Sequence, residues 1–187
     1  MDTPSDLKGI RSPILGYVGT IGDRIDFDQL VALARRRPDW SVVLIGPLTS
    51  RRFSAIFRDT KNIYWLGEKP YEGLRPYLKR FDVCLIPFRI DEFTKKIYPT
   101  KVHQYLAEGK SVVSSHLPEL ESFTPWIEFY SDVNEMEMKI EKSLKNDSEE
   151  KVIARKRVAA DNTWDQRVES MVQIFDGFLA RRIQPAL

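Results

Sequence analysis

Short, almost wholly apolar runs alternate with longer segments whose apolar residues recur every three or four positions. The runs cover residues 14–19, 41–45, 62–66, 82–88 and 111–115, and most stop at glycine or proline. Runs of that length, bounded by turn residues, predict strands. Between the first two, Phe27, Leu30, Val31 and Ala34 mark one face of a helix. Asp26 is its predicted cap, with Gln29 three residues on in the manner of a capping box. Arg35, Arg36 and Arg37 close it before Pro38, cations at the negative end of the helix dipole. Further helices are predicted over 50–58, over 71–79 with Pro76 near the middle, and over 99–108 with Gly109 as the stop. Apolar strands alternating with helices predict a doubly wound, mainly parallel α/β sheet of about six strands, Rossmann-like and covered on both faces.

After Pro118 the rhythm changes. Residues 127–130 predict a last short strand, 134–144 a helix, 145–150 a polar turn, and 164–182 a long helix. Val168, Met171, Val172, Phe175, Phe178 and Leu179 make an apolar stripe on that long helix. Core packing is the expected use of the stripe, with cover for a missing domain as the alternative. Residues 1–12 read as a tail or interdomain linker, and 13–187 as one domain.

Composition narrows the function classes. A net charge of +2 over 187 residues gives no broad polyanion-binding surface, so no nucleic-acid partner is expected. The one cysteine, Cys84, sits in an apolar run and is expected to be a buried thiol, not a nucleophile. His103 and His116 lie in different segments, and Asp91 and Glu92 are adjacent on a loop, so no metal is expected. Asp23, Asp26 and Asp28 read as favourable charges at a helix start. No run approaches the roughly 20 apolar residues that span a bilayer, and the first eight residues are polar. A cytoplasmic location is the expectation, with peripheral contact at the inner face of a membrane left open.

In an open parallel sheet, ligands bind beyond the carboxyl ends of the strands. The first such loop holds Gly16, Gly19 and Gly22, which is not the spacing of a dinucleotide fingerprint. No acid closes the second strand, and the phosphate-loop motif is absent. What remains is either a glycine turn that brings backbone near a ligand or a plain tight turn. The second candidate is Tyr98-Pro99-Thr100-Lys101. Proline suits a first helical position, so free amides and a positive dipole end are expected there, with Lys101 adding a formal charge. Gln104, three residues on, shares its face with Lys101. On its own, Lys101 reads more readily as a solvated lysine.

The segment PTKVHQYLAEGKSVV, residues 99–113, resembles the P-x-K-x-x-E-Y-L-A-x-G-K-P-V-V block of group 1 glycosyltransferases, the retaining GT-B enzymes of bacterial surface polysaccharide synthesis. GYVGTIGDRIDFDQL, SVVLIGP, NIYWLGEKPYEGLRPYLKRFDVCLIPF and TWDQRVESMVQIFDGFL are similar to other blocks of their carboxyl-terminal domain, in the same order. The resemblance covers about residues 13–179. It implies half of a GT-B fold that binds a nucleotide-sugar, UDP- or GDP-linked, with no other cofactor. It also implies that Lys101, with the amides around Pro99 and Thr100, contacts the donor diphosphate. Gly19, Thr20 and Gly22 would approach phosphate and sugar; Gly67, Lys69 and Tyr71 would border the base; Gln104 would contact the ribose. Lys101 and Arg24 are the residues expected to stabilise the leaving diphosphate.

Two positions depart from the family pattern. A Glu-x7-Glu pair is common there, and this chain has Lys96 and Gln104 instead. Glutamine still offers hydrogen bonds to hydroxyls. The expected partner is an amino-terminal acceptor-binding domain, without which the chain is expected to be inactive. A nucleotide-sugar-binding module without catalysis is the alternative reading. A phosphoacceptor receiver is disfavoured because the third strand ends Trp65-Leu66-Gly67, without an aspartate.

Overall fold

A computed structural model describes residues 3–50 and 60–183, with side chains to Leu179. The helix expected over 50–58 lies outside the described residues apart from Ser50. Six strands form one all-parallel sheet: β1 (Ile14–Val18), β2 (Ser41–Ile45), β3 (Ile63–Trp65), β4 (Val83–Ile86), β5 (Ser111–Ser115) and β6 (Ile127–Tyr130). Their order is β3-β2-β1-β4-β5-β6. Every residue of β1, β2, β4 and β5 is buried, so both faces of the sheet are covered. This is the physical reason those segments are apolar throughout and not alternating. The chain winds outward in opposite directions from β1 and β4, and the crevice at their carboxyl ends is where such sheets place ligands.

The helices follow their caps. In α1 (Phe27–Arg36), Asp26 accepts from the Gln29 amide at 3.1 Å. The Gln29 side chain donates back to the same carboxylate, at 3.0 Å, where a capping box would use the backbone amide. The helix expected over 71–79 is shorter. Tyr71–Gly73 wind as a 3-10 turn, and α2 (Arg75–Arg80) begins with Pro76 in its first turn. There the missing N–H costs no hydrogen bond. α3 (Lys101–Ala107) follows β4. α4 (Val133–Lys145) is capped by Asp132, which accepts from the Asn134 and Glu135 amides at 2.7 and 3.0 Å.

Two findings correct the sequence reading. α5 (Glu149–Ala160) begins where a polar turn was expected. It lacks an apolar stripe and is fastened by a buried arginine. Arg155 donates to the Gly109 carbonyl at 2.9 Å and pairs with Asp147 at 2.7 and 2.8 Å, pinning α5 to the end of α3. α6 (Trp164–Ile183) forms as expected, but its stripe is not core. Val168, Met171, Val172 and Phe175 are each more than half exposed. The periodicity of α6 therefore does not record core packing. No helix among the described residues is long and apolar enough to cross a membrane.

Candidate functional site

At the crevice between β1 and β4 lies a pocket of about 240 Å³ lined by Tyr17, Thr20, Gly22, Asp23, Arg24, Thr49, Phe88 and Lys101. The loops that form it are held backbone to backbone. Gly19 donates to Ile45 at 2.8 Å, Ile21 to Pro47 at 2.8 Å, and Thr49 to Ile21 at 3.0 Å. Gly46 must be a glycine, because a Cβ there would strike the Gly19 carbonyl. Gly19 has φ +138°, and a Cβ on it would stand 3.1 Å from the Lys101 Nζ and Cε. Its missing side chain is therefore space for Lys101. Neither a bare tight turn nor simple access for a ligand had suggested that role.

The Lys101 ammonium stands 4.8 Å from the centroid of the Tyr17 ring, 4.9 Å from that of Phe88, and 3.4 Å from the Tyr17 hydroxyl. Aromatic faces attract a cation but supply no counter-charge. No carboxylate pairs with Lys101 or Arg24 among the described residues. Asp23 lines the same pocket but accepts from the Ser50 hydroxyl at 2.8 Å. Burial, aided by the positive charge of Arg24, lowers the Lys101 pKa to about 8. Burial also raises the Tyr17 hydroxyl above its usual value, so no phenolate supplies the missing charge. Two cations, Lys101 and Arg24, thus share a small, partly desolvated pocket with the Asp23 carboxylate on its wall.

The start of α3 differs from the expectation. Pro99 is not its first residue: Thr100 occupies the cap position and Lys101 begins the helix. The Val102 and His103 amides already donate to the Pro99 and Thr100 carbonyls, at 3.0 and 3.1 Å. The tight 3-10 turn spends these donors internally, so the helix start offers an anion fewer amides than expected. The anion-attracting charge resides mainly in side chains.

On the other face of α3 is a larger cavity, about 550 Å³, bounded by Tyr71, Tyr98, Thr100, His103, Gln104, Trp164 and Arg167 among others. Thr100 and Lys101 are neighbours in the chain, so the two cavities flank the same helical turn. Arg167 donates to the Tyr98 hydroxyl at 2.8 Å and approaches His103 Nε2 at 3.1 Å, and the Tyr98 hydroxyl lies 2.5 Å from that nitrogen. A guanidinium only donates, so Nε2 accepts and the imidazole is neutral, with its proton on Nδ1. Burial, with Arg167 beside it, lowers the His103 pKa and agrees with that state.

The sequence-selected residues therefore divide. Thr20, Gly22, Arg24 and Lys101 converge on the small pocket with Gly19 behind them, and Tyr71, Thr100 and Gln104 converge on the large one. Lys69 belongs to neither cavity; its ammonium pairs with Asp6 at 2.8 Å and lies over the Tyr77 ring. Gly67, at φ +72°, accepts from the Gly46 amide at 2.9 Å and shapes the loop. Asp91 accepts from the Phe93 and Thr94 amides, and Glu92 pairs with Lys95. Cys84 is fully buried, and burial raises its thiol pKa. Among the described residues, no three His, Cys, Asp or Glu side chains group as metal ligands. Sequence reasoning missed Tyr17, Phe88, His103, Trp164 and Arg167. The first two sit in or beside apolar strands and looked like core, and the last two join the site only through the packing of α5 and α6.

Residues 24–173 match the model of a family described as glycosyl transferase-like. The chain is 28% identical over 117 residues to TuaH of Bacillus subtilis (strain 168), named, provisionally, as a teichuronic acid biosynthesis glycosyltransferase. That match covers 61% of this chain and 29% of TuaH. Among solved structures, sucrose-phosphate synthase from Thermosynechococcus elongatus superposes with TM-score 0.73 at 20% identity, over 90% of this chain and 46% of that one. HepE from Anabaena, solved with UDP and glucose, superposes with TM-score 0.65 at 14% identity, over 96% of this chain and 53% of that one. The chain thus spans about half the length of these solved relatives and less of TuaH.

Proposed function

The chain belongs to the glycosyl transferase-like family, and from that premise we propose that it is the donor-binding half of a GT-B glycosyltransferase. The whole enzyme transfers a hexose from UDP- or GDP-sugar to a glycan or lipid-linked acceptor in bacterial surface polysaccharide synthesis. The observation that carries the reading is Lys101, set over two aromatic rings beside Arg24 without a carboxylate partner, at the reversal point of the sheet. When the bond between the sugar's anomeric carbon and the diphosphate oxygen breaks, negative charge builds on the leaving diphosphate. Preorganised cations aimed at that charge lower the barrier, and Lys101 and Arg24 fill this role. The sugar end of the donor lies towards Thr20 and Gly22, and the ribose towards Gln104.

The acceptor is held by an amino-terminal domain on the same or a separate chain, and productive geometry needs both substrates in place. The purified chain alone therefore binds donor and transfers nothing. Titration with UDP and GDP, followed by amide NMR, should move residues 19–24 and 99–104. Shifts confined to other regions would relocate the site. One observation favours a second reading, a nucleotide-sugar-binding module without catalysis: Lys96 and Gln104 stand where the family often has glutamates. Assembly with an acceptor domain separates the two readings, since a complex that binds donor without turnover supports the module.

A further inference from the structure

The cavity on the second face of α3 has features the diphosphate site does not require. Tyr71 and Trp164 line it while exposing 68% and 75% of their surfaces, although each presents a broad apolar ring. Arg167 lines it too, half-buried over the Tyr98 ring at 5.2 Å. One terminal nitrogen of Arg167 is used by Tyr98 and His103. Its Nε and other terminal nitrogen carry three more N–H groups, with no acceptor within reach among the described residues. No carboxylate pairs with it there either. His103 is neutral and supplies no counter-charge, and its Nε2 accepts from Arg167 and so holds the guanidinium in place. The cavity thus combines exposed aromatic walls with an immobilised, donor-rich edge.

Resting on the donor-site reading above, we propose that this cavity takes the nucleobase, packed against Tyr71 and Trp164, and that Arg167 selects bases whose outer edge is a carbonyl oxygen. Bases pack on aromatic side chains irrespective of sequence, so the rings give affinity and little choice. The choice comes from Arg167. Uracil and guanine present a carbonyl oxygen at the edge where cytosine and adenine present an amino group. A guanidinium donates to the carbonyl. Against an amino group it leaves donors facing donors in a partly dry site, which disfavours binding roughly ten-fold or more. The adjacency of Thr100 and Lys101 lets one nucleoside diphosphate cross the first turn of α3, with phosphates on one side and base on the other.

The test is calorimetric, on the full chain at fixed salt. The probes are UDP, GDP, CDP, ADP, uridine and pyrophosphate, and the proteins are the parent, Trp164→Ala, Arg167→Gln and Lys101→Ala, each checked by thermal melting. UDP and GDP should bind the parent about ten-fold or more tightly than CDP and ADP. Arg167→Gln should abolish that preference, and Trp164→Ala should weaken all four together. Both variants should leave pyrophosphate binding unchanged. Uridine should lose binding with Trp164→Ala and retain it with Lys101→Ala. Unaltered UDP affinity and base preference in folded Trp164→Ala and Arg167→Gln would overturn the proposal while leaving the phosphate site standing. Failure of pyrophosphate to bind the parent, or its indifference to Lys101→Ala, would instead remove the donor-site reading, and this proposal with it.

Discussion

Among the described residues, two lysines stand over tyrosine rings, and their surroundings differ. Lys69 lies 5.7 Å from the Tyr77 centroid and is closed by Asp6 at 2.8 Å. Lys101 lies 4.8 Å from the Tyr17 centroid with a second ring behind it and Arg24, another cation, as its neighbour. The hydrogen bond to Asp6 raises the Lys69 pKa, whereas burial lowers that of Lys101 to about 8. The same cation–ring arrangement is complete in one place and lacks its anion in the other. A satisfied lysine contributes to the fold, and an unsatisfied, desolvated one costs stability that a ligand can recover. That contrast, more than the presence of a lysine, is what points to the Lys101 pocket as the candidate site.

Removing each ammonium group in turn should separate the two lysines. Lys101→Ala should weaken UDP binding about ten-fold or more, since a charge-assisted contact contributes on the order of 1.5–3 kcal/mol. Lys69→Ala should leave the dissociation constant unchanged. Equal losses in calorimetry would show that general positive charge, not the unpaired lysine, attracts the ligand.

The pH dependence of UDP binding sharpens it further. The terminal phosphate of UDP titrates near pH 6, so it is fully charged above about pH 7. Lys101 loses its proton as pH rises through about 8 in the free protein, and a bound dianion raises that pKa. Affinity should therefore be flat from pH 7 to just below 8 and fall above it, by at most about ten-fold per unit. Binding near pH 8 should take up protons, seen as a dependence of the apparent enthalpy on buffer ionisation. Lys101→Ala should flatten the profile.

Stability without ligand should move the opposite way to binding. The folded Lys101 pKa, about 8, lies below the usual 10.5, so the charged form favours unfolding. The parent gains stability from this group as pH rises from 8 to 10.5 and lacks that gain below 8. Lys101→Met should accordingly melt higher than the parent at pH 7, by on the order of 1–3 kcal/mol in stability, and the advantage should vanish by about pH 10.5. A lower melting temperature at pH 7 would mean that Lys101 is already satisfied. The smallest effect belongs to Lys69→Met, which removes a half-buried pair with Asp6 and should cost no more than about 1 kcal/mol. Chemical denaturation of that variant checks the figure.

The fold was largely legible in the sequence because both faces of the central strands are buried, which writes them as unbroken apolar runs such as residues 41–45 and 82–88. Caps such as Asp26 were legible for a similar reason, since capping is chosen within three residues of chain. α5 was not legible. Its attachment is one buried arginine reaching Gly109, 46 residues earlier, and no local period records that. At the site, Lys101, Arg24 and the glycines lie in loops that turn chemistry marks, but the pairing of Lys69 with Asp6, 63 positions away, has no local signal.

Local patterning along the chain was enough to set the parallel α/β class, its strands and several of its helix starts. These follow from apolar period, capping and turn chemistry, all of which act between near neighbours. Long-range packing settled which lysine is paired, that Gly19 makes room for Lys101, and that Tyr98, His103 and Arg167 meet beside Trp164. It also left the apolar stripe on α6 open to solvent. Charge compensation and desolvation depend on distances between residues far apart in the chain, and those distances exist only once the sheet has brought the ends of its strands together.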